Sequence, residues 1–326
     1  MGFWSSTLEK LVNKTILVTG GLGCLGSHLC KHLLNCGYTV IIGTSRKDAE
    51  LPRELIGCIL VYTDFFDINI LNQACHSVDY VIHLATVNAQ KSQEDPHLAV
   101  KVNGLGTLNL IQASEAQNVS YFLYFSSAHI YGSPLVGMID ESTLPKPSNS
   151  YSITHRLAED FLLESINSKK MRGVIFRLSN SIGKPSSIDT NCWTLFVNNI
   201  CRQAIESRSI TINSNPLIER DFIPVSSVCS IVNHFLVNRP HSKFPVYNIG
   251  SGDAYCLNDI AKLVIQRCGA LYGFLPKLVV NESIKLAHTP LCYKTDKIIG
   301  ELGWEFSSDL IPVIDEVLEY SQLEFG

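Results

Sequence analysis

Three glycines spaced three apart, Gly20-x-x-Gly23-x-x-Gly26, follow the apolar run Thr15 to Thr19 and enter a stretch of helical character from Leu25 to Cys36. Glycine lets a backbone turn tightly and approach a bulky anion. A helix N-terminus adds unpaired N–H groups and the positive end of its dipole. In a strand-to-helix context this pattern predicts a cradle for a dinucleotide pyrophosphate, formed by Gly20, Gly23, Leu25 and Gly26. A second apolar run, Thr39 to Ile42, should end near the adenosine ribose, where an NAD site usually carries an acid. Here the chain reads Gly43-Thr44-Ser45-Arg46-Lys47. A guanidinium grips a 2′-phosphate bidentately, so Ser45 and Arg46 favour NADP over NAD. The alternative is an ordinary solvated loop. Asp64, with Phe65 beside it, follows a third apolar run and is placed to meet the adenine edge.

The elements that must position these groups follow from the pattern of apolar runs. Strands are predicted at Thr15 to Thr19, Thr39 to Ile42, Cys58 to Tyr62, Tyr80 to Leu84, Tyr121 to Phe125 and Gly173 to Leu178. Helical stretches from Leu25, from Pro96 to about Gln117 and from Tyr151 to about Ser168 separate them. Near-continuous apolar strands alternating with helices predict a parallel sheet covered on both faces. The fold class is therefore α/β, a Rossmann-type doubly wound parallel sheet with a smaller C-terminal substrate-binding lobe. Residues 1–180 form the dinucleotide-binding domain, with a returning segment at about 221–250, and residues 181–326 are mostly the lobe. Gly132 to Ser150, rich in Pro, Ser and Asn, reads as a loop. In the lobe, helices are expected near Trp193 to Glu206, Leu257 to Cys268 and Asp309 to Tyr320, with short strands near Ile210 and Phe222.

Composition narrows the function. The 326 residues are 46% hydrophobic and only 17% charged, which excludes a disordered chain. Twenty-six Lys and Arg against 30 Asp and Glu leave a net charge of -4, with no basic run, so nucleic acid is not an expected partner. Met1 to Lys14 contains Glu9 and Lys10 and reads neither as a signal peptide nor as a membrane helix. No later stretch reaches the roughly 18 uninterrupted apolar residues of a membrane span. The 11 cysteines include no CxxC pair, so buried reduced thiols are expected rather than a metal site or disulfides. A reducing cytoplasm is the simplest setting.

Further motifs make a resemblance specific. His83-Leu84-Ala85, Asn103 with Gly106-Thr107, Ser126-Ser127 with Tyr131-Gly132, and Tyr151 with Glu159 occur in that order. Arg177 with Asn180, Arg220-Asp221-Phe222, Asn248-x-Gly250-Ser251-Gly252 and Leu302-Gly303-Trp304 follow. With the glycine loop, these resemble the extended short-chain dehydrogenase/reductase family, in its NAD(P)-dependent nucleotide-sugar epimerase/dehydratase branch, along almost the whole chain. The resemblance implies Leu84, Ala85 and Asn103 at the cofactor, Tyr151 as acid/base on a sugar oxygen, and Ser127 hydrogen-bonded to that oxygen. It also implies Asn180 and Arg220 facing a substrate diphosphate, the alternative for Arg220 being an ion pair with Asp221.

Two departures bear on chemistry. The family's lysine, four residues after the tyrosine, lowers the phenol pKa and holds the nicotinamide ribose; here it is His155. Neutral imidazole offers hydrogen bonds without charge. His155 either replaces lysine as ribose ligand and proton relay, or supports a gentler step, or marks a protein that binds without turnover. The second departure is Ala128-His129, where the dehydratases carry two acids, which argues against 4,6-dehydration. His129, taken to lie on the same side of an extended strand end as Ser127, is a candidate substrate-side acid/base, or simply a packed residue. No R-x-G-D stretch precedes the last motif, and Lys285 is its candidate substitute.

The expected function is that of an epimerase or ketosugar reductase acting on a nucleotide-linked sugar. The alternatives are an NADPH-dependent reductase of a non-sugar ketone and a non-catalytic binding protein. A homodimer is expected through Leu98, Val102, Leu105, Leu157, Phe161 and Leu162, on the helices after the fourth strand and around Tyr151.

Overall fold

The computed structural model describes residues 14–188, 190, 192–239, 242, 244–280, 289–303 and 307–326. The segment before Lys14, Lys285 with its neighbours, and Trp304 lie outside the described residues. Seven strands form the central sheet: β1 (Thr15–Thr19), β2 (Thr39–Thr44), β3 (Ile59–Tyr62), β4 (Tyr80–His83), β5 (Tyr121–Ser127), β6 (Gly173–Leu178) and β7 (Val246–Ile249). Their order is β7-β6-β5-β4-β1-β2-β3, and every neighbouring pair is parallel. The chain reverses direction across the sheet between β1 and β4. In open parallel sheets that reversal opens a crevice beyond the carboxyl ends of the strands.

Side chains alternate across this sheet. Ile16, Val18, Val40 and Ile42 face α1 (Cys24–Asn35) and the helix Val225–Asn238, through Leu29, Leu33, Val228 and Phe235. Leu17, Val81, Phe122 and Ile175 face the other layer, made by α2 (Ile68–Cys75), α3 (Thr107–Ala116) and α4 (Ser150–Asn167). A second core, with Ile182, Val197, Ile200, Phe222, Leu257, Val264 and Ile314, fills the lobe.

The sequence pattern departs from the structure in three places. The predicted loop contains a strand, Gly137–Ile139, paired with Leu291–Tyr293; its Met138 is 71% exposed, so no apolar alternation marks it. The helix Val225–Asn238 reads VSSVCSIVNHFLVN, a β-branched run whose burial against α1 overrides its local preference. β7 is the sheet's seventh strand, although its sequence stands out only through Asn248.

One ion pair fastens the layers. Arg177 on β6 and Glu159 on α4 are both essentially sealed from solvent. The guanidinium donates to Glu159 through Nε at 3.0 Å and Nη2 at 2.8 Å, and through Nη1 to the Tyr131 hydroxyl at 2.8 Å. Tyr131 in turn donates to Asn248 Oδ1 on β7 at 2.8 Å. A buried pair with every guanidinium nitrogen engaged is tolerated, whereas one partner left alone is not. Glu159→Gln should therefore lower the unfolding free energy by about 3–5 kcal/mol in a denaturant titration. A loss under about 1 kcal/mol, typical of exposed pairs, would contradict this reading.

Candidate active site

The site lies at the carboxyl ends of β1, β4, β5 and β6. After β1 the chain turns through Gly20, whose φ of +75° no side chain adopts easily. A Cβ on Gly20 would sit 2.8 Å from Ala85 N, and one on Gly26 only 2.2 Å from Gly20 O. Glycine is thus required for the turn to close against both α1 and the end of β4. α1 begins at Gly23 and Cys24 with no side-chain cap, leaving its first N–H groups for an anion. Leu25 lies in that first turn.

A buried chain of hydrogen bonds fixes the crevice. Thr107 donates to Asn103 O at 2.6 Å, so its oxygen accepts from His83 Nε2 at 2.8 Å. His83 Nδ1 then accepts from Thr19 Oγ1 at 2.6 Å. Burial, with His155 nearby, holds the His83 pKa down at about 3, so this imidazole is neutral. Leu84 continues the pairing by donating its N–H to Thr19 O at 3.1 Å.

Beyond β2, Ser45 and Arg46 are exposed, and Arg46 forms no ion pair among the described residues. Lys47 lies over the Tyr62 ring, 5.3 Å from its centroid. Asp64 accepts the Phe66 N–H at 2.9 Å, a local turn that orients its carboxylate. Phe65 packs edge-on against His83 at 5.6 Å.

Asn103 differs from the expected direct cofactor ligand. It lies 1% exposed in a wide π-helical segment, Val100–Gly106. Its Oδ1 accepts from Val87 N at 2.7 Å, and its Nδ2 donates to Thr154 Oγ1 at 3.0 Å. Both ends of the amide serve the protein, so Asn103 ties the segment after β4 to α4.

On α4, Tyr151 and His155 stack edge to face with centroids 4.4 Å apart. The Ser127 hydroxyl lies beside the Tyr151 phenol and favours its ionised form. Burial pushes the phenol above its usual range, and the serine offsets this only in part. His155 is 2% exposed, and burial, with His129 nearby, lowers its pKa to about 3. Its Nδ1 is 2.7 Å from the Tyr124 hydroxyl. Burial drives the Tyr124 pKa far up, so that hydroxyl keeps its proton and donates it to Nδ1. The imidazole hydrogen is therefore on Nε2, facing Thr86 Oγ1 at 3.5 Å. Where the resemblance implies a cation, this chain presents a neutral N–H donor. Tyr124 was missed in the sequence because it reads as one more apolar strand residue.

Ser127, His129, Tyr151, Asn180 and Arg220 all line one cavity of about 510 Å³, closed on the lobe side by Phe196 and Phe222. His129 reaches it from a 3-10 turn, Ala128–Tyr131, rather than from an extended strand end, because Ser127 caps that turn by accepting the His129 N–H at 3.2 Å. His129 Nδ1 is buried without a hydrogen-bond partner among the described residues. Burial and the Arg220 charge lower its pKa. Arg220 makes no ion pair with Asp221. The Asp221 carboxylate instead accepts from Ser179, from Ser251 N at 3.0 Å and from Gly252 N at 2.7 Å. The guanidinium lies over the Phe196 ring at 5.9 Å, and burial lowers its pKa. Asn180 donates to Asp221 O at 2.9 Å and turns its remaining capacity to the cavity.

The model of the NAD dependent epimerase/dehydratase family matches residues 16–250. The chain belongs to that family, a family of enzymes. The UDP-glucose 4-epimerase of Haemophilus influenzae is 26% identical over 321 residues, covering 89% of this chain and 92% of the relative. Two solved structures share the fold. The UDP-glucose 4-epimerase of Bifidobacterium longum with NAD+ and UDP has a TM-score of 0.79 at 22% identity, covering 95% of this chain and 98% of that one. RMD of Pseudomonas aeruginosa with NADPH has a TM-score of 0.75 at 22% identity, covering 95% and 99%. Among the described residues no helix is long and apolar enough to cross a membrane.

The two neutral histidines of this family site have a consequence for stability. Their folded pKa values of about 3 lie below the ordinary 6.5. Between those values the unfolded chain binds protons that the folded chain refuses. Their contribution is complete above about pH 6.5 and declines as pH falls toward about 3. Unfolding free energies measured from pH 7 down to about pH 4 should fall less steeply for His155→Asn than for the wild type. Parallel slopes would mean that His155 is protonated in the fold.

Proposed function

We propose that this chain transfers a hydride between a nicotinamide dinucleotide and a nucleotide-linked sugar, with Tyr151 moving the proton. The convergence of Ser127, His129, Tyr151, Asn180 and Arg220 on one cavity, beside the glycine cradle, carries this reading. The uncapped N-terminus of α1, Gly20, Gly23, Leu25 and Gly26 would hold the pyrophosphate, while Asp64, Phe65, Leu84 and Ala85 would line the adenosine side. Ser45 and Arg46 favour NADP, since a lone exposed guanidinium suits a 2′-phosphate. When bound, the nicotinamide supplies or accepts the hydride.

The residues divide the remaining work. Arg220, a cation without an acidic partner among the described residues, and Asn180 would hold the substrate diphosphate. Ser127 would align the reacting oxygen with Tyr151. His129, with a free Nδ1, would meet a sugar hydroxyl. His155 contributes hydrogen bonding but no charge, so Tyr151 rests as a phenol. A phenol suits proton donation to a ketone, which favours ketosugar reduction with NADPH. Epimerisation is the second reading, favoured by relatives that carry the name UDP-glucose 4-epimerase. A homodimer would use Val100, Leu105 and Ile153, 46–50% exposed near the site, since Leu162 is buried in the core and Leu157 packs on Gly104.

Tyr151→Phe should lower turnover on a nucleotide sugar by about 100-fold or more while leaving dinucleotide affinity unchanged. Retained turnover excludes Tyr151 as the proton-transfer group. By calorimetry, Arg46→Ala should weaken NADP binding by about tenfold or more and leave NAD binding unaltered. Equal effects on the two would remove the case for NADP.

A further inference from the structure

Cys24 stands inside the glycine cradle, as the first residue of α1. Its thiol points away from the sheet to the carbonyls of Gly183 at 3.7 Å and Lys184 at 3.9 Å. Gly183 O also accepts from Asn198 Nδ2 at 2.9 Å, and the same amide nitrogen lies 3.6 Å from Cys192 Sγ. The Cys24 and Cys192 thiols thus flank the same Gly183–Asn198 contact, near enough to perturb each other's ionisation. Two thiols, 168 residues apart in the chain (192 − 24), therefore meet where the nucleotide loop touches the lobe. Thr194, Leu195 and Phe196, just beyond Cys192, form a wall of the cavity that holds Tyr151 and Arg220. Cys192 is fully buried, whereas Cys24 is partly exposed and gives a small oxidant its approach.

We propose that Cys24 and Cys192 are a redox modification site, closing to a reversible disulfide that ties the phosphate cradle to the cavity wall. The neighbouring Cys24 thiol, with help from Asn198, holds the Cys192 thiol below its usual range, while Cys192 and burial push Cys24 up. The first thiolate is thus Cys192. Its sulfur attacks hydrogen peroxide, the O–O bond breaks, and the departing hydroxide takes up a proton, leaving a sulfenic acid and water. The Cys24 sulfur then attacks the sulfenic sulfur. The S–O bond breaks and the hydroxide leaves with the Cys24 proton as a second water. Two thiols lose two protons and two electrons, and one peroxide becomes two waters. Dithiol reductants reverse the step by exchange.

The consequence rests on the reading of Gly20 to Gly26 as a dinucleotide cradle. A disulfide holds its sulfurs at about 2.05 Å, far closer than two unbonded thiols approach. Closing it must draw the first turn of α1 and the segment after Gly183 together. The N–H groups at the start of that turn shift with it, and dinucleotide affinity falls.

The test is a peptide map of the whole protein, digested without reduction after equimolar peroxide, beside NADPH titrations of the reduced and oxidised forms. A Cys24–Cys192 linked peptide should dominate over links among the other nine cysteines. NADPH affinity should drop by about fivefold or more and recover with dithiothreitol. Cys192→Ser should keep the reduced-state affinity and lose the response. If Cys192→Ser does not fold, the map of the unaltered protein decides alone. Absence of the linked peptide, or a link that leaves affinity unchanged, overturns the proposal. Failure of the reduced protein to bind any dinucleotide instead overturns the cofactor reading, and the map then still decides whether the disulfide forms.

Discussion

A carboxylate and a guanidinium, both out of reach of water, hold α4 against the sheet. Without Arg177, buried Glu159 would keep only the partly exposed Arg156, 3.3 Å away, as a partner, and without Glu159 the largest fully buried side chain would carry an unmatched cation. The pair also sets where Tyr151 and His155 lie, because they sit two and one turns earlier on the same helix. Through Tyr131 and Asn248 the network reaches β7, and through the Tyr293 hydroxyl, which donates to Arg177 O at 2.7 Å, it reaches the strand Leu291–Tyr293. Residues that resemble a family signature thus serve the frame.

Within that frame the site is built from groups held without charge. His83, His129 and His155 are all depressed by burial, and the Tyr124 and Tyr151 phenols are raised by it. Arg220 stands apart as a cation with no acid opposite it among the described residues. A neutral wall with one unmatched positive charge suits an anionic tether and an uncharged reacting centre. In the proposed reaction, proton movement falls to Tyr151, the one phenol among the described residues that line the cavity.

Much of this was legible in the sequence. The glycine spacing and six strands of the sheet stand out because close backbone approach and double-sided burial impose strict residue types, whereas Ser127, Tyr151, Asn180 and Arg220 stand out only through the family resemblance. Three features were not legible. Tyr124 carries its function on the polar tip of a side chain whose ring belongs to the core. Asn103 is turned inward by a π-helical widening that leaves no trace in apolar periodicity. The arrangement of Ser127 and His129 depends on a capped turn, where an extended strand was the natural extrapolation.

The central claim is that a nicotinamide reacts with a sugar in this cavity while His155 stays neutral. The most direct measurement follows the near-ultraviolet absorbance of reduced nicotinamide after mixing the NADPH- or NAD-loaded protein with nucleotide-linked hexoses and 4-ketohexoses. The account predicts an absorbance change, net for reduction or transient for epimerisation, that Tyr151→Phe abolishes. Binding of both dinucleotide and sugar with no absorbance change would contradict it and leave a protein that holds its ligands without turning them over.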